Sequence, residues 1–391
     1  VISSRAGTWN CVWTTVTAHL GFVQLVPLYL FSDSGRIWIS SSRKDMSLDF
    51  CKRIPKVELH AHLNGSISRE TIKKLAMKKN PELYKDLRIC FDKEKAETLD
   101  NVFQMFKLIH QISDNTEAIY TIAYDVIHEF SADNVKYLEL RSTPRDVPSS
   151  GMTKSSYIEA ILKAIEDCHK ENLDIVVKFL LAIDRRNDLS VAKETVDLAE
   201  RYSRLSGGTV VGIDLSGDPT VGDACTLVPI LRDAKFRGLK LALHLAEVPA
   251  VEETEEVLKI LPDRIGHGTC LHPNAGGSQG LVDTVLQHRI PLELCLTSNM
   301  ICQTVAHVDN HHFKFWYDQG HPCVICTDDK GVFSTSLSEE YCLAAETFGL
   351  TRKNIWTLSY NCIDLIFAEE AVKQDLKSKW NSVKSYEFNC E

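Results

Sequence analysis

Positive charge is in short supply in this chain. Its 44 Lys and Arg are outnumbered by 53 Asp and Glu, leaving a formal net charge of −9. A surface of that balance gives no electrostatic reason to expect a nucleic acid polymer or an anionic membrane as partner. A small anionic ligand would need a local cationic site. Long hydrophobic runs are missing too. The stretch "LGFVQLVPLYLF" is broken by Gln24 and Pro27, is too short to span a bilayer and is followed by no clean small-residue cleavage site. No G-x-G-x-x-G loop follows the first strand-like run, which argues against an open dinucleotide-binding sheet. No low-complexity linker and no repeat beyond the strand–helix unit is present. The 13 cysteines form no framework. They are odd in number, scattered, and set in apolar runs such as "LELCL" and "CVIC", the distribution of reduced, buried thiols. Cys323 and Cys326 make a single CxxC with no second pair, so core thiols are expected there and a cytosolic setting for the protein.

The 44% hydrophobic and 25% charged residues are those of a globular domain. The length allows two average domains or one large α/β barrel. Residues 1–45 show no sustained period of 2 or 3.6. They are expected to be unstructured or an artefactual extension, with the natural start near Met46 and one domain over 46–391. From Val57 onward, eight β-branched or Leu-rich runs alternate with helical patterns: "VELHAHL" (57–63), "VKYLELRST" (135–143), "IVVKFLLAID" (175–184), "VVGIDLSG" (210–217), "KLALHLAE" (240–247), "RIGHGT" (264–269), "PLELCLTS" (291–298) and "CVICTDD" (323–329). The intervening "SYIEAILKAIEDCHKEN" and "VAKETVDLAERYSRL" repeat apolar residues every three or four positions, as helices packed on a sheet do. Eightfold alternation predicts a closed (β/α)₈ barrel. Extra helices are expected in the long first connection ("SRETIKKLAMKK", "NVFQMFKLIHQI") and in the C-terminal tail from residue 336.

In such a barrel, reactive groups stand at the C-terminal ends of the strands. There the sequence places His60 and His62, Asp184, Gly217 and Asp218, His244 and Glu247, His267, Ser298, and Asp328 and Asp329. His60 and His62 are two apart on a strand, so both imidazoles point to the same side. With His244 and Asp328 they make a three-nitrogen, one-oxygen set suited to Zn²⁺. Glu247, three residues after His244, is placed for proton transfer without being a ligand. His267, flanked by glycines, can hydrogen-bond a water there, and Asp329 is left free to accept a hydrogen bond from substrate.

The motifs "VELHAHLNGS", "DLSGDP", "HLAE", "RIGHGT", "CLTSN" and "TDDKGVF" together resemble the adenosine deaminase family of zinc-dependent amidohydrolase barrels, over roughly residues 55–367. The resemblance implies one Zn²⁺ per chain, held by His60, His62, His244 and Asp328. It implies Glu247 as proton donor to the purine N1 and His267 as the group that orients the attacking water and helps deprotonate it. Asp329 would hold N7, and the Gly217 backbone N–H would contact N3. The HxE and PCxxC signature of the cytidine-type deaminases is absent.

One departure bears on the substrate. Nucleoside-specific members usually read HLDG where this chain has "HLNG", so Asn64 removes a negative charge at the ribose end and would favour a phosphorylated sugar. Arg145 and Lys330 would supply cations for that phosphate, with Thr143 and His110 as donors and Asp184 near the ribose; His62 would also touch substrate. The expected reaction is hydrolytic removal of the 6-amino or 6-alkylamino group of a purine nucleoside monophosphate, with N(6)-methyl-AMP going to IMP and methylamine. The alternatives are deamination of free adenosine and a non-catalytic purine-binding relative, which would need a signal peptide and paired cysteines. A monomer is expected.

Overall fold

Eight strands hydrogen-bond side by side in the order of the sequence, all parallel: β1 Lys56–His62, β2 Val135–Ser142, β3 Val176–Asp184, β4 Val210–Ser216, β5 Lys240–Leu245, β6 Arg264–His267, β7 Leu292–Leu294 and β8 Cys323–Ile325. The ring closes just beyond β8. His62 N–H donates to the Asp328 carbonyl (3.0 Å), and Asp328 N–H donates to the His60 carbonyl (2.8 Å). The computed structural model describes residues 46–80 and 99–388; the N-terminal extension read at 1–45 lies outside the described residues.

All eight predicted strands are present, but the seventh and eighth are cut short, the eighth ending at Ile325. In "PLELCLTS" only Leu292–Leu294 is extended, and Leu296–Ile301 turns into a helix. Ser298, expected at a strand end, therefore stands on that helix. Outside the barrel, helix Lys154–Lys170 buries Tyr157, Ile158, Ile161, Ala164, Ile165 and Cys168, the stripe its spacing predicts. Thr153 and Ser156 close a capping box at its start, typically worth about 1 kcal/mol. The first connection carries helices Arg69–Lys79, Leu99–Ile112 and Thr116–Ala132, and the tail adds Leu337–Phe348, Arg352–Asn361 and Glu370–Phe388. Among the described residues no helix is long and apolar enough to cross a membrane.

The barrel interior is unusual in what fills it. Strand alternation sends Val57, Leu59 and Ala61 outward under the helices and leaves Glu58, His60 and His62 for the axis. Glu139 and Arg141 on β2, Asp214 on β4, Arg264 on β6 and Glu293 on β7 are likewise fully buried. Branched aliphatics usually occupy these layers. Here they hold a charged network in which Arg141 bridges Asp214 (3.3 Å) and Glu293 (2.7 Å), while Arg264 joins Glu293 (2.6 Å) to Glu139. A buried charge survives only when paired, and each of these has its partner. The network forms the floor of the site above it.

Candidate metal centre and active site

His60 and His244 are aimed by carboxylates of that floor. His60 Nδ1–H donates to Glu293 Oε2 (2.7 Å), and His244 Nδ1–H donates to Asp214 Oδ1 (2.8 Å). Those bonds fix the tautomer, leaving a lone pair on each Nε2 directed at a common point. His62 Nε2 lies 3.0 Å from His244 Nε2, and Asp328 Oδ1 lies 3.5 Å from His60 Nε2 and 3.3 Å from His62 Nε2. One ligand atom from each of His60, His62, His244 and Asp328 falls within 4.8 Å of the others. His60 Nε2 is buried with no hydrogen-bond partner, a cost avoided if the lone pair is a ligand. The four groups thus fit a tetrahedral divalent ion such as zinc. Ser298 donates to Asp328 Oδ2 (2.7 Å), steering the carboxylate.

The conformations around these ligands also require special backbone. Gly266 is the axial residue of β6, and a Cβ there would lie 2.8 Å from the His60 ring. The same alternation would turn the next residue, His267, away from the axis. Its left-handed backbone (φ +62°) ends the strand and lets the ring come back, placing Nε2 3.8 Å from Asp328 Oδ2 and 3.9 Å from Glu247 Oε1. Glu247 follows a second left-handed residue, Ala246 (φ +52°). Burial pushes the Glu247 carboxyl up to about 7, with His244 opposing and Asp328 aiding the rise. A carboxylic acid that is still protonated near neutrality can deliver a proton.

Asp329 is buried, and its Oδ1 has no hydrogen-bond partner in the described structure. Burial, with Asp328 beside it, pushes its pKa well above the carboxylate range. Gly65 makes room for this group: a Cβ there would fall 1.5 Å from Asp329 Oδ1. Gly65→Ala is therefore expected to displace Asp329 and lower kcat/KM by about 10²-fold, the usual cost of a misplacement near 1 Å, with metal content retained; steady-state kinetics on the metal-loaded variant check it.

The other expected substrate contacts are spread around the rim. Gly217 (φ +105°) lies against Asp184, and lines a pocket with His244, Glu247 and Arg185. Asp184 is paired with Arg186, whose Nε donates to it at 2.8 Å. Asn64 Nδ2 lies 3.5 Å from the Tyr157 hydroxyl, and its Oδ1 is buried without a partner. Arg145 donates to the carbonyl and hydroxyl of Ser113 (both 2.7 Å) and meets no carboxylate among the described residues. Partial desolvation, helped by nearby Arg145 and Arg186, pulls His110 below the usual imidazole range. Thr143 is half-buried just past β2. Lys330 is not free: Glu129 holds its ammonium at 2.5 Å, and the Phe130 ring lies 5.1 Å below it. Of the two cations expected at a phosphate, Lys330 is paired and Arg145 meets no counter-charge among the described residues. Glu58, Arg141, Asp214, Glu293, Asn299 and His311 also belong to the site's support, and the sequence reading passed over them. A charged residue at every second position of an otherwise apolar strand, as in "VELHAH" or "LELRS", was the available signal.

The family model described as adenosine deaminase matches residues 55–383. An N6-Methyl-AMP deaminase of Danio rerio is 56% identical over 337 residues, covering 86% of this chain and 97% of that protein. The Homo sapiens protein of the same name is also 56% identical over 86% of this chain and 95% of its own. A crystal structure of Arabidopsis ADAL complexed with IMP superposes with a TM-score of 0.79 at 38% identity, covering 86% of this chain and 99% of that one. With a family match across most of its length and a metal-ligand cluster at the mouth of an eight-stranded barrel, the chain belongs to the adenosine deaminase family.

Proposed function

We propose that this chain is a hydrolytic deaminase that removes the 6-amino or 6-alkylamino group of a purine nucleoside monophosphate, with N(6)-methyl-AMP as its leading substrate and IMP and methylamine as products. The observation that carries this reading is the convergence of Glu247, His267 and Asp329 on the His60, His62, His244 and Asp328 cluster. One Zn²⁺ held by those four would act as a Lewis acid that brings the pKa of water toward neutrality. The chain's own groups supply the rest. Asp329, kept protonated by its burial, donates a hydrogen bond to N7 and fixes the ring's face, Glu247 gives a proton to N1 so that the purine does not accumulate charge, and His267 holds the attacking oxygen at C6. One proton of the water makes good the one Glu247 gave to N1 and the other passes from the new hydroxyl to N6 as the C6–N6 bond breaks, so that the neutral amine leaves and the 6-oxo purine remains with its hydrogen on N1.

The nucleotide preference is supported by the name of the 56% identical relatives, the IMP bound to the Arabidopsis protein, and the guanidinium of Arg145, which meets no counter-charge among the described residues, with His110 beside it. We propose that it acts as a monomer with a single domain over residues 46–391. The ten free cysteines among the described residues fit a cytosolic home. The test compares kcat/KM for N(6)-methyl-AMP, AMP, adenosine and N(6)-methyladenosine on zinc-loaded protein. N(6)-methyl-AMP is expected to be preferred, and chelation to abolish turnover. Arg145→Ala is expected to lower kcat/KM for the nucleotide by about 10–100-fold, the loss of a charge-assisted contact worth 1.5–3 kcal/mol, while leaving the nucleosides unaffected. Preference for adenosine would overturn the nucleotide assignment and favour the free-nucleoside reading.

A further inference from the structure

Which ring nitrogen of His267 carries the proton decides whether it meets the attacking water as a donor or as an acceptor. A chain of hydrogen bonds makes that choice, and it starts from a group of fixed polarity. The backbone N–H of Phe313 donates to His311 Nδ1 (3.0 Å). With Nδ1 accepting, His311 keeps its proton on Nε2, which donates to Asn299 Oδ1 (3.0 Å). That contact orients the amide. Asn299 Nδ2 is thereby turned to His267 and donates to its Nδ1 (3.3 Å), as well as to Thr304 Oγ1 (3.1 Å). A ring whose Nδ1 accepts must hold its proton on Nε2, the nitrogen that faces Glu247 and Asp328.

The surroundings give this chain little freedom. Asn299, His267 and His311 are all buried. The Asn299 carbonyl accepts from Val305 N–H (3.0 Å) and Thr304 Oγ1 (3.2 Å), and His312 Nε2 donates to the His267 carbonyl (2.8 Å). Ser298, on the same short helix as Asn299, steers Asp328. One helical turn after β7 thus aims two groups of the site. Its position explains why "PLELCLTS" leaves the extended conformation after Leu294.

We infer that Asn299, held by His311, is a positioning residue that locks His267 in its Nε2–H tautomer, so that His267 meets the reacting water as a hydrogen-bond donor and not as its base. For His267 to accept a proton on Nε2 from this state, its own proton would have to leave and the Asn299 amide turn over, breaking the bond to His311. This deepens the deaminase reading and rests on it for the identity of the reacting water, but the tautomer itself can be read without turnover.

The experiment is a long-range ¹H–¹⁵N correlation spectrum of the zinc-loaded protein labelled at histidine, with His267 assigned by the signals lost in His267→Asn. The expected pattern is a pyrrole-type Nε2 and a pyridine-type Nδ1. Asn299→Asp presents a carboxylate that accepts from Nδ1–H, so it is expected to invert the pattern and to lower kcat by about 10²–10³-fold, as loss of an aligned donor does, with KM little changed. His311→Gln, which keeps an amide donor toward Asn299, is expected to retain the wild-type His267 pattern. A wild-type spectrum with the proton on Nδ1 would overturn the inference, even if Asn299→Asp could not be folded. Inversion in Asn299→Asp with kcat unmoved would overturn the functional role. A protein that proved inactive on every purine tested would sink the substrate assignment while leaving the spectrum to decide the tautomer.

Discussion

Glu247→Gln is expected to reduce kcat by about 10²–10⁴-fold, the range that a positioned general acid contributes, while the zinc content of the protein stays that of wild type. The two side chains have nearly the same shape, so packing against the rim is retained, and an amide can still hydrogen-bond to N1. What it cannot do is give up a proton and recover it. Metal content should hold because Glu247 is not among the four clustered ligands. A pH profile adds a second readout. Burial, the main cause, pushes the Glu247 carboxyl up to about 7, so the acid form predominates below that pH and is lost above it. kcat/KM for the wild type is therefore expected to fall as pH rises through about 7, and Glu247→Gln to lack that limb. A variant within a few-fold of wild type would remove Glu247 from the chemistry. Activity and zinc lost together would make it a support for the ligands instead.

The sequence showed the frame of this molecule and most of the reactive groups, because both depend on local periodicity. Alternation of strand-like and helical patterns gives eight strands, and an HxH pair on one strand must share a face. It showed less where the backbone leaves regular geometry. His267 was placed correctly at a strand end, but strand alternation alone turns it away from the axis; a left-handed residue brings it back. Likewise, "CLTS" reads as β-forming by composition, whereas its residues form a helical turn that carries Ser298 and Asn299. Lys330 stands next to Asp329 in sequence, yet its ammonium meets Glu129 some 200 positions earlier in the chain, a pairing that only the closed barrel creates. The charged floor escaped for a different reason. Asp214 and Glu293 each sit singly in an apolar run, and only with the strands side by side do their partners come within reach.

That floor carries the other large effect expected here, through Arg141→Met. Arg141 is fully buried, its guanidinium lies between Asp214 (3.3 Å) and Glu293 (2.7 Å), and it also donates to the Leu59 carbonyl. Burial raises the cost of both carboxylates, but Asp214 is held below the ordinary range by His244 and Arg141, and Glu293 by Arg141 and Arg264. Methionine fills much of the volume and removes the charge. Two anions are then left with less compensation in a low dielectric, a change that typically costs about 3–5 kcal/mol. At about 2–4 °C per kcal/mol for a domain of some 200 residues, and somewhat less for a larger one, the melting temperature is expected to fall by the order of 10 °C. The same loss reaches the metal. Asp214 and Glu293 hold the Nδ1–H groups of His244 and His60, and disturbing such partners commonly weakens metal affinity about 10–100-fold. Thermal melting of the metal-free protein and a competitive zinc titration measure the two effects separately. Adding Glu293→Gln to Arg141→Met removes one stranded charge, so it is expected to recover part of the stability without recovering the affinity, since a neutral amide is a poorer acceptor for His60. An Arg141→Met protein that melts with wild type and binds zinc as tightly would show that the charged floor neither stabilises the barrel nor aims its histidines.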